Sequence, residues 1–427
     1  MNLQLPKGTR DFAPEEKILR DKIVLTLKEV FELYGFAPLE TPIIERFDVL
    51  SSKYAGGAEI LKETFKLNDQ GERNLGLRYD LTVPFCRFVG MNPNIKMPFK
   101  RYQIGEVFRD GPIASARYRQ FTQCDVDVIG IPSVAAEAEI VSLIYSAFSK
   151  LNLDCVVKFN NRKILNELLD YCGVEKSKHD SAILAIDKLE KLGDEAVKKE
   201  LKDLKIDAKK IYSIIEIIKT KGDNKEKLLQ LKNRLNDSEG IKEIGQLINF
   251  LENLKLNAEF DVSLARGLAY YTGTIIEGSL KNSPVKSSVC GGGRYDKMIG
   301  SLLGKGDYPA VGVSFGLDRI YDAMADAQKE KKKTNTKVYI IPIKSLDESA
   351  KIAQQLRENG INTDIDMMEK GPSKNLEYAN SLGIPFVIFV GKRELELGKL
   401  KLRDMKTGIE EMADIQEIII KIKNKNY

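Results

Sequence analysis

The sequence predicts an α+β protein with a helical insertion and a separate C-terminal α/β domain, and three observations predict it. From about Phe99 to Gly130, side chains alternate with a period of two on either side of a turn-rich loop. No proline occurs between Pro132 and Pro284, and within that gap residues 172–257 are rich in Leu, Ile, Lys and Glu. After a polar, lysine-rich stretch at 326–337, strand and helix patterns alternate to the end of the chain.

Each element follows from local chemistry. A helix is predicted over about Pro14 to Tyr34. Pro14, Glu15 and Glu16 suit a helix start, and Ile18, Leu19, Ile23, Leu27, Val30, Phe31 and Tyr34 fall near helical spacing. Gly35 ends it. Phe36 to Ile44 reads as extended, with Pro38 and Pro42 placing it at an edge or interface.

In the strand FKRYQIGEVFR, Tyr102, Ile104, Glu106 and Phe108 share one face. Arg101, Gln103, Val107 and Arg109 are assigned to the other. After the loop DGPIASA, the strand RYRQFTQCDVDVIG puts Cys124, Val126 and Val128 on one side and Gln123, Asp125 and Asp127 on the other. Its apolar face covers a core, and its acidic face meets solvent or a ligand.

The helical insertion is divided at Gly193, Gly222 and Gly240, and strand character returns at Phe260. In the terminal region KVYIIPI, NTDIDM, PFVIFVG and KLKLRDM read as strands. DESAKIAQQLREN, SKNLEYANSLG and the segment from about Asp414 read as helices. The alternation predicts a small, largely parallel sheet covered by helices.

Composition narrows the function classes. The 427 residues are 43% hydrophobic and 30% charged, which suits a globular protein with a substantial core. No apolar run is long enough for a membrane span, and the N-terminus lacks a signal-peptide core, so a cytoplasmic protein without a membrane partner is expected. Five cysteines without a C-x-x-C pair argue against a disulfide framework or a zinc site. The single histidine, His179, reads as a surface side chain, and no metal site is expected. The net charge of +5 fits a nucleic-acid partner without establishing one.

Three arginines, Arg109, Arg266 and Arg319, each sit beside motif-like loops or strands. Arginine suits phosphate because its planar fork holds two oxygens at once. Such help is needed when a carboxylate approaches a phosphate, since two unit charges about 4 Å apart repel by roughly 4 kcal/mol at an effective dielectric near 20. CGGGRYD is no phosphate loop, because the G-x-x-x-x-G-K-[ST] pattern is missing. Its glycines instead allow a close approach to a pocket.

Taken together, KGTRDF, ETPIIE, LRYDLTVPFCR, the strand–loop–strand region, LARGLAYYTG, CGGGRYD and VGVSFGLDR resemble the class II aminoacyl-tRNA synthetases, specifically the histidyl-tRNA synthetase family. The resemblance runs almost end to end, and LRYDLTVPF resembles the archaeal and eukaryotic branch. It implies a class II catalytic domain with an antiparallel sheet and helices at 1–171 and 258–325. A helical insertion at 172–257 contacts the tRNA acceptor arm, a linker spans 326–337, and an anticodon-binding α/β domain spans 338–427.

The resemblance also implies ATP as substrate with Mg2+, L-histidine and tRNA(His) as further ligands, and a homodimer formed through ETPIIE. In it, Arg109 binds the α-phosphate, Arg319 the γ-phosphate, and Arg266 is an additional catalytic arginine at the α-phosphate and histidine. Asp80, Thr82 and Gln123 hold the ammonium group. Asp127 and Tyr271 hold the imidazole, with Tyr270 and Tyr295 lining the same pocket. Two positions depart from the family pattern. Ala269 stands where an aspartate is usual, and Gly111 where an acid often helps hold adenine, leaving Asp110 as its substitute. The competing reading is a non-catalytic, histidine-binding regulatory paralog of ATP phosphoribosyltransferase.

Overall fold

The computed structural model describes residues 3–51, 61–113, 118–267, 270–327, 331–368 and 370–425. Part of the DGPIASA loop, part of the linker, and Ala269 lie outside the described residues. The chain divides into two compact units: Met1–Arg10 with Lys22–Asp326, and Asp11–Asp21 with Ala327–Tyr427. No helix among the described residues is long and apolar enough to cross a membrane.

The strands of the first unit are β1 (Ala37–Pro38), β2 (Ile44–Arg46), β3 (Lys66–Asn68), β4 (Asn74–Leu77), β5 (Phe99–Phe108) and β6 (Gln120–Ile129). They continue as β7 (Cys155–Asn161), β8 (Glu259–Phe260), β9 (Thr274–Leu280), β10 (Cys290–Arg294) and β11 (Ala310–Gly316). Eight form one sheet in the order β1-β5-β6-β11-β10-β9-β7-β8, and β2-β4-β3 form a small second sheet. The run from β5 to β7 is antiparallel throughout, and only the outermost pairs, β1 with β5 and β7 with β8, are parallel.

The alternation expected for β5 and β6 is realised. Cys124, Val126 and Val128 are buried. On that apolar face Phe31 of the helix Pro14–Leu33 and Phe148 of the helix Ala135–Lys150 both pack on Phe315 of β11, with ring centroids 5.6 and 5.7 Å apart. On the other face Asp125 and Asp127 are each only 3% exposed.

A buried ion pair ties this helix to β10. Arg294 donates from Nε and Nη2 to the two oxygens of Glu137, both at 2.6 Å, and Glu137 is wholly buried. Removing one partner strands a buried charge, which costs about 3–5 kcal/mol. Glu137→Ala is therefore expected to lower the urea midpoint of unfolding by a corresponding margin. An unchanged midpoint would show that Arg294 finds equivalent partners elsewhere.

The insertion contains the helices His179–Ile186, Leu189–Asp203, Ala208–Ile218, Asn224–Leu235 and Glu239–Asn253. Asp207, Asp223 and Ser238 cap the last three by accepting backbone N–H bonds. Gly193, at φ 75°, breaks the second helix, and Gly222 lies between helices. Gly240 is not a separator, because Ser238 starts the last helix just before it. A Cβ on Gly240 would come within 2.9 Å of Ile164, so the glycine serves helix packing. His179 also departs from expectation. It is buried, with Nε2 3.1 Å from the Val174 carbonyl oxygen.

In the second unit β12 (Val338–Ile343), β13 (Thr363–Ile365), β14 (Phe386–Gly391), β15 (Leu400–Asp404) and β16 (Glu410–Ala413) form a sheet in the order β13-β12-β14-β15-β16. Only β13, β12 and β14 run parallel; β15 and β16 are antiparallel. The largely parallel expectation thus holds for one half. Residues 392–399 between β14 and β15 are too few for the dozen or more that a parallel crossover needs. Helices Leu346–Glu358 and Ile415–Asn424 bury apolar side chains with the sheet core, and Asp414 closes a capping box at the start of the latter.

Candidate active site

The pocket face of the large sheet is built row by row from strand register. One row pairs Arg101, Asp127, Gly312 and Gly293 across β5, β6, β11 and β10. The next pairs Gln103, Asp125, Ser314 and Gly291, then continues to Glu277 of β9. Polar side chains therefore converge because each occupies the same parity of its strand.

The glycines in these rows clear space for their neighbours. A Cβ on Gly291 would lie 1.9 Å from Nη1 of Arg266, and one on Gly312 would lie 2.0 Å from Oδ1 of Asp127. Gly293, at φ +158°, keeps the Tyr271 ring close to β10. CGGGRYD thus functions as a floor on which an arginine and a tyrosine lie.

Above this floor is a cleft with two lobes that share Arg109, Gln123, Arg266, Gly291 and Ser314. The outer lobe, about 400 Å³, adds Tyr118, Phe121, Ser288, Asp318 and Arg319. The inner lobe, about 310 Å³, adds Asp80, Thr82, Asp125, Asp127, Tyr270, Tyr271 and Tyr295. Ten of the eleven candidate residues are brought together in this way. Asp110 is not, because its carboxylate turns to Arg119, 3.1 Å away. At Gly111 a Cβ would come within 2.6 Å of a Glu63 oxygen, so the Glu63 carboxylate already fills that space.

The arginines of the outer lobe are held from several sides. The Arg109 guanidinium lies 4.2 Å from the centre of the Tyr79 ring and 4.9 Å from that of Phe121. Glu63 accepts a bond from the Tyr79 hydroxyl at 3.1 Å. Arg319 donates to the Ser288 carbonyl at 2.6 Å. Arg266 meets Glu277 at 3.2 Å, and nearby tyrosines and acids hold its pKa above the usual value although burial opposes this. Among the described residues its buried Nε has no hydrogen-bond partner and remains available as a donor.

The inner lobe is a nest of acids and hydroxyls. Asp127 is bound by the Tyr295 hydroxyl and lies 2.8 Å from the fully buried Arg101. Burial pushes its pKa up, while Arg101 and the Tyr295 hydroxyl oppose the shift. Asp80, also pushed up by burial, accepts from the backbone N–H of Val83 at 2.9 Å. Gln123 donates to Ser314 at 3.1 Å, and its buried Oε1 has no hydrogen-bond partner among the described residues. Tyr270 packs on Tyr271 and Tyr295, with centroids 4.7 and 6.3 Å away.

Sequence reasoning placed Arg101 and Asp125 on this face yet gave them no part in the site. It gave no role to Tyr79 or Ser314, although they lie within LRYDLTVPFCR and VGVSFGLDR, and did not single out Glu277. Strand parity was the available signal for Arg101 and Asp125. Tyr79 joins the site through Arg109.

Comparison with known proteins places this geometry in a family. The histidyl-tRNA synthetase family model matches residues 8–320, and an anticodon binding domain model matches residues 337–425. Histidine–tRNA ligase 1 of Bacillus cereus is 43% identical over 417 residues, covering 96% of this chain and 95% of its own. Histidine–tRNA ligase 2 of Shouchella clausii is 43% identical over 415 residues, covering 95% and 96%. These relatives are bacterial, although LRYDLTVPF resembles the archaeal and eukaryotic branch. A crystal structure of histidyl-tRNA synthetase from Nostoc sp. superposes with a TM-score of 0.87 at 31% identity, covering 99% of both chains. With a catalytic sheet of the class II type and matches along nearly its whole length, the chain belongs to the histidyl-tRNA synthetase family.

Proposed function

We propose that this chain activates histidine with ATP and transfers the histidyl group to the 3′ end of tRNA(His). One observation carries the reading: three arginines, Arg109, Arg266 and Arg319, line a lobe that opens into a lobe of carboxylates and tyrosines. An anion-binding lobe beside an ammonium- and imidazole-binding lobe is what joining a carboxylate to a nucleotide phosphate requires. The first lobe neutralises the phosphates, and the second fixes the amino acid.

In this reading ATP lies in the outer lobe, with Arg109 and Arg266 at the α-phosphate and Arg319 at the γ-phosphate. The histidine ammonium faces Asp80, Thr82 and Gln123. A neutral imidazole has one donor and one acceptor nitrogen, which Asp127 and the Tyr271 hydroxyl complement. The histidine carboxylate then attacks the α-phosphorus as pyrophosphate leaves, and the terminal ribose of tRNA takes the histidyl group from the adenylate. Among the described residues no three His, Cys, Asp or Glu side chains are grouped to hold a metal ion. Asp318, the acid of the outer lobe, is bound to Arg10 at 2.8 Å. These donors do not fit a metal held by the protein alone; magnesium brought in with ATP would supply further charge neutralisation beside Arg109, Arg266 and Arg319.

The wider reading has 1–171 with 258–325 as the catalytic domain, 172–257 as an acceptor-arm insertion, 326–337 as a linker and 338–427 as the anticodon reader. A cytoplasmic homodimer formed through ETPIIE completes it, and the exposure of Ile43 and Ile44 in that segment supports the dimer. A structure described as an ATP phosphoribosyltransferase regulatory subunit/histidyl-tRNA synthetase from Bacillus halodurans has a TM-score of 0.76 at 20% identity, which speaks to fold alone. The near-full-length ligase relatives disfavour a regulatory role.

ATP–pyrophosphate exchange with each of the twenty amino acids tests the activation step. Exchange with histidine alone is expected. Exchange with another amino acid would redirect the assignment to a sister synthetase. None at all, from folded protein that binds histidine, would favour the regulatory role.

A further inference from the structure

Asp125 stands midway between Gln123 and Asp127 on the pocket face of β6. Gln103 is its register partner on β5, and Ser314 is its partner on β11. Ser314 favours the ionised carboxylate, yet among the described residues Oδ1 is buried without a hydrogen-bond partner beside the inner lobe. Such an orphaned oxygen costs free energy unless something else satisfies it.

No arginine among the described residues forms an ion pair with Asp125. Asp80, Asp125 and Asp127 face one another across the inner lobe. Arg101, the cation among them, is already 2.8 Å from Asp127. Arg78 also feels Asp125, but its Nε and Nη1 donate to the carbonyls of Glu106 and Thr41. Arg109 and Arg266 line the lobe where it meets the phosphate side.

We infer that Asp125 is a specificity-determining residue that gives up a proton when the substrate's ammonium group enters the inner lobe. The inference rests on the histidine reading above. The O–H bond of the carboxylic acid breaks, the proton passes to solvent, and the carboxylate pairs with the incoming cation. A ligand of the same shape without the positive charge leaves the proton in place and binds more weakly.

Burial, reinforced by Asp127 and Asp80 and opposed by Arg101, pushes Asp125 up to about 7. Near that pH about half of the free protein therefore carries the proton. An arriving ammonium favours the ionised form, so binding releases protons and tightens as pH rises through this window. Above it the carboxylate is already charged and the dependence levels off.

The test is titration calorimetry of the full-length protein in two buffers of different ionisation enthalpy. The probe is triazolylalanine, a histidine analogue whose ring does not titrate near neutrality. Wild-type protein is expected to release up to about half a proton near pH 7 and almost none near pH 8.5. Asp125→Asn is expected to reduce the release near pH 7 at least threefold. Binding without release in the wild type would overturn the proposal, as would undiminished release from the folded variant, which would point to Asp80 or Asp127. The wild-type titration needs no variant, and an affinity that does not change between pH 6 and 8.5 is equally fatal. Failure of both histidine and the analogue to bind would instead remove the histidine reading on which the proposal stands.

Discussion

Arg266→Gln is expected to slow histidine-dependent ATP–pyrophosphate exchange by about 10²–10³-fold, as loss of a preorganised charge typically does. The guanidinium sits at the junction of the two lobes, anchored by Glu277 at 3.2 Å and resting over Gly291. Glutamine retains a hydrogen-bonding amide but not the charge or the bidentate fork. Charge developing at the α-phosphate would then lack compensation, while the contacts to histidine proposed for Asp80 and Gln123 would remain. The loss should therefore fall mainly on kcat for exchange, with a smaller change in the KM for histidine. A loss confined to KM would place Arg266 in binding alone and remove it from the chemical step.

Gly291→Ala is expected to cost about 10²-fold in the same assay, the scale of a catalytic group displaced by about 1 Å. The added methyl would lie 1.9 Å from Nη1 of Arg266, so the guanidinium must leave its resting place. Gly291 is paired to Glu277 and Ser314 within the sheet and lacks the positive φ that favours glycine, so the fold should survive. Gly371→Ala, far from both lobes in sequence, provides the contrast. There nothing lies within 4 Å of the new methyl, and activity should hardly change. Equal activity in both variants would mean that Arg266 does not need its position over β10.

The two substitutions also mark where sequence reasoning succeeds and fails. Parity along β5 and β6 placed Gln123, Asp125 and Asp127 on one face because alternation is a local property of a strand. The resemblance supplied residues as far apart as Asp80 and Arg319, which the sheet then brings to one cleft. Pairing between elements was not legible. Nothing near Arg101 says that it will meet Asp127, and nothing near Gly111 says that Glu63 will occupy its side-chain space. The same limit affected β15, where the helix–strand rhythm suggested a parallel sheet. The connection from β14 is too short for that, and chain direction had to reverse. His179 was misjudged because its polar sequence neighbours are not its spatial ones.

The parallel pairing of β7 with β8 also bears on how the protein assembles. Lys158 and Phe159 register with Glu259 and Phe260, about a hundred residues later in the chain, and nearly all of the helical insertion lies between them. Closing so long an unstructured loop for two residue pairs is entropically unfavourable. The caps at Asp207, Asp223 and Ser238 are short-range and need no distant partner. Helices formed early would shorten the effective loop and bring its ends within reach. The edge strand should therefore dock late in folding, so that changes to those caps alter the rate at which the sheet closes more than they alter its final form.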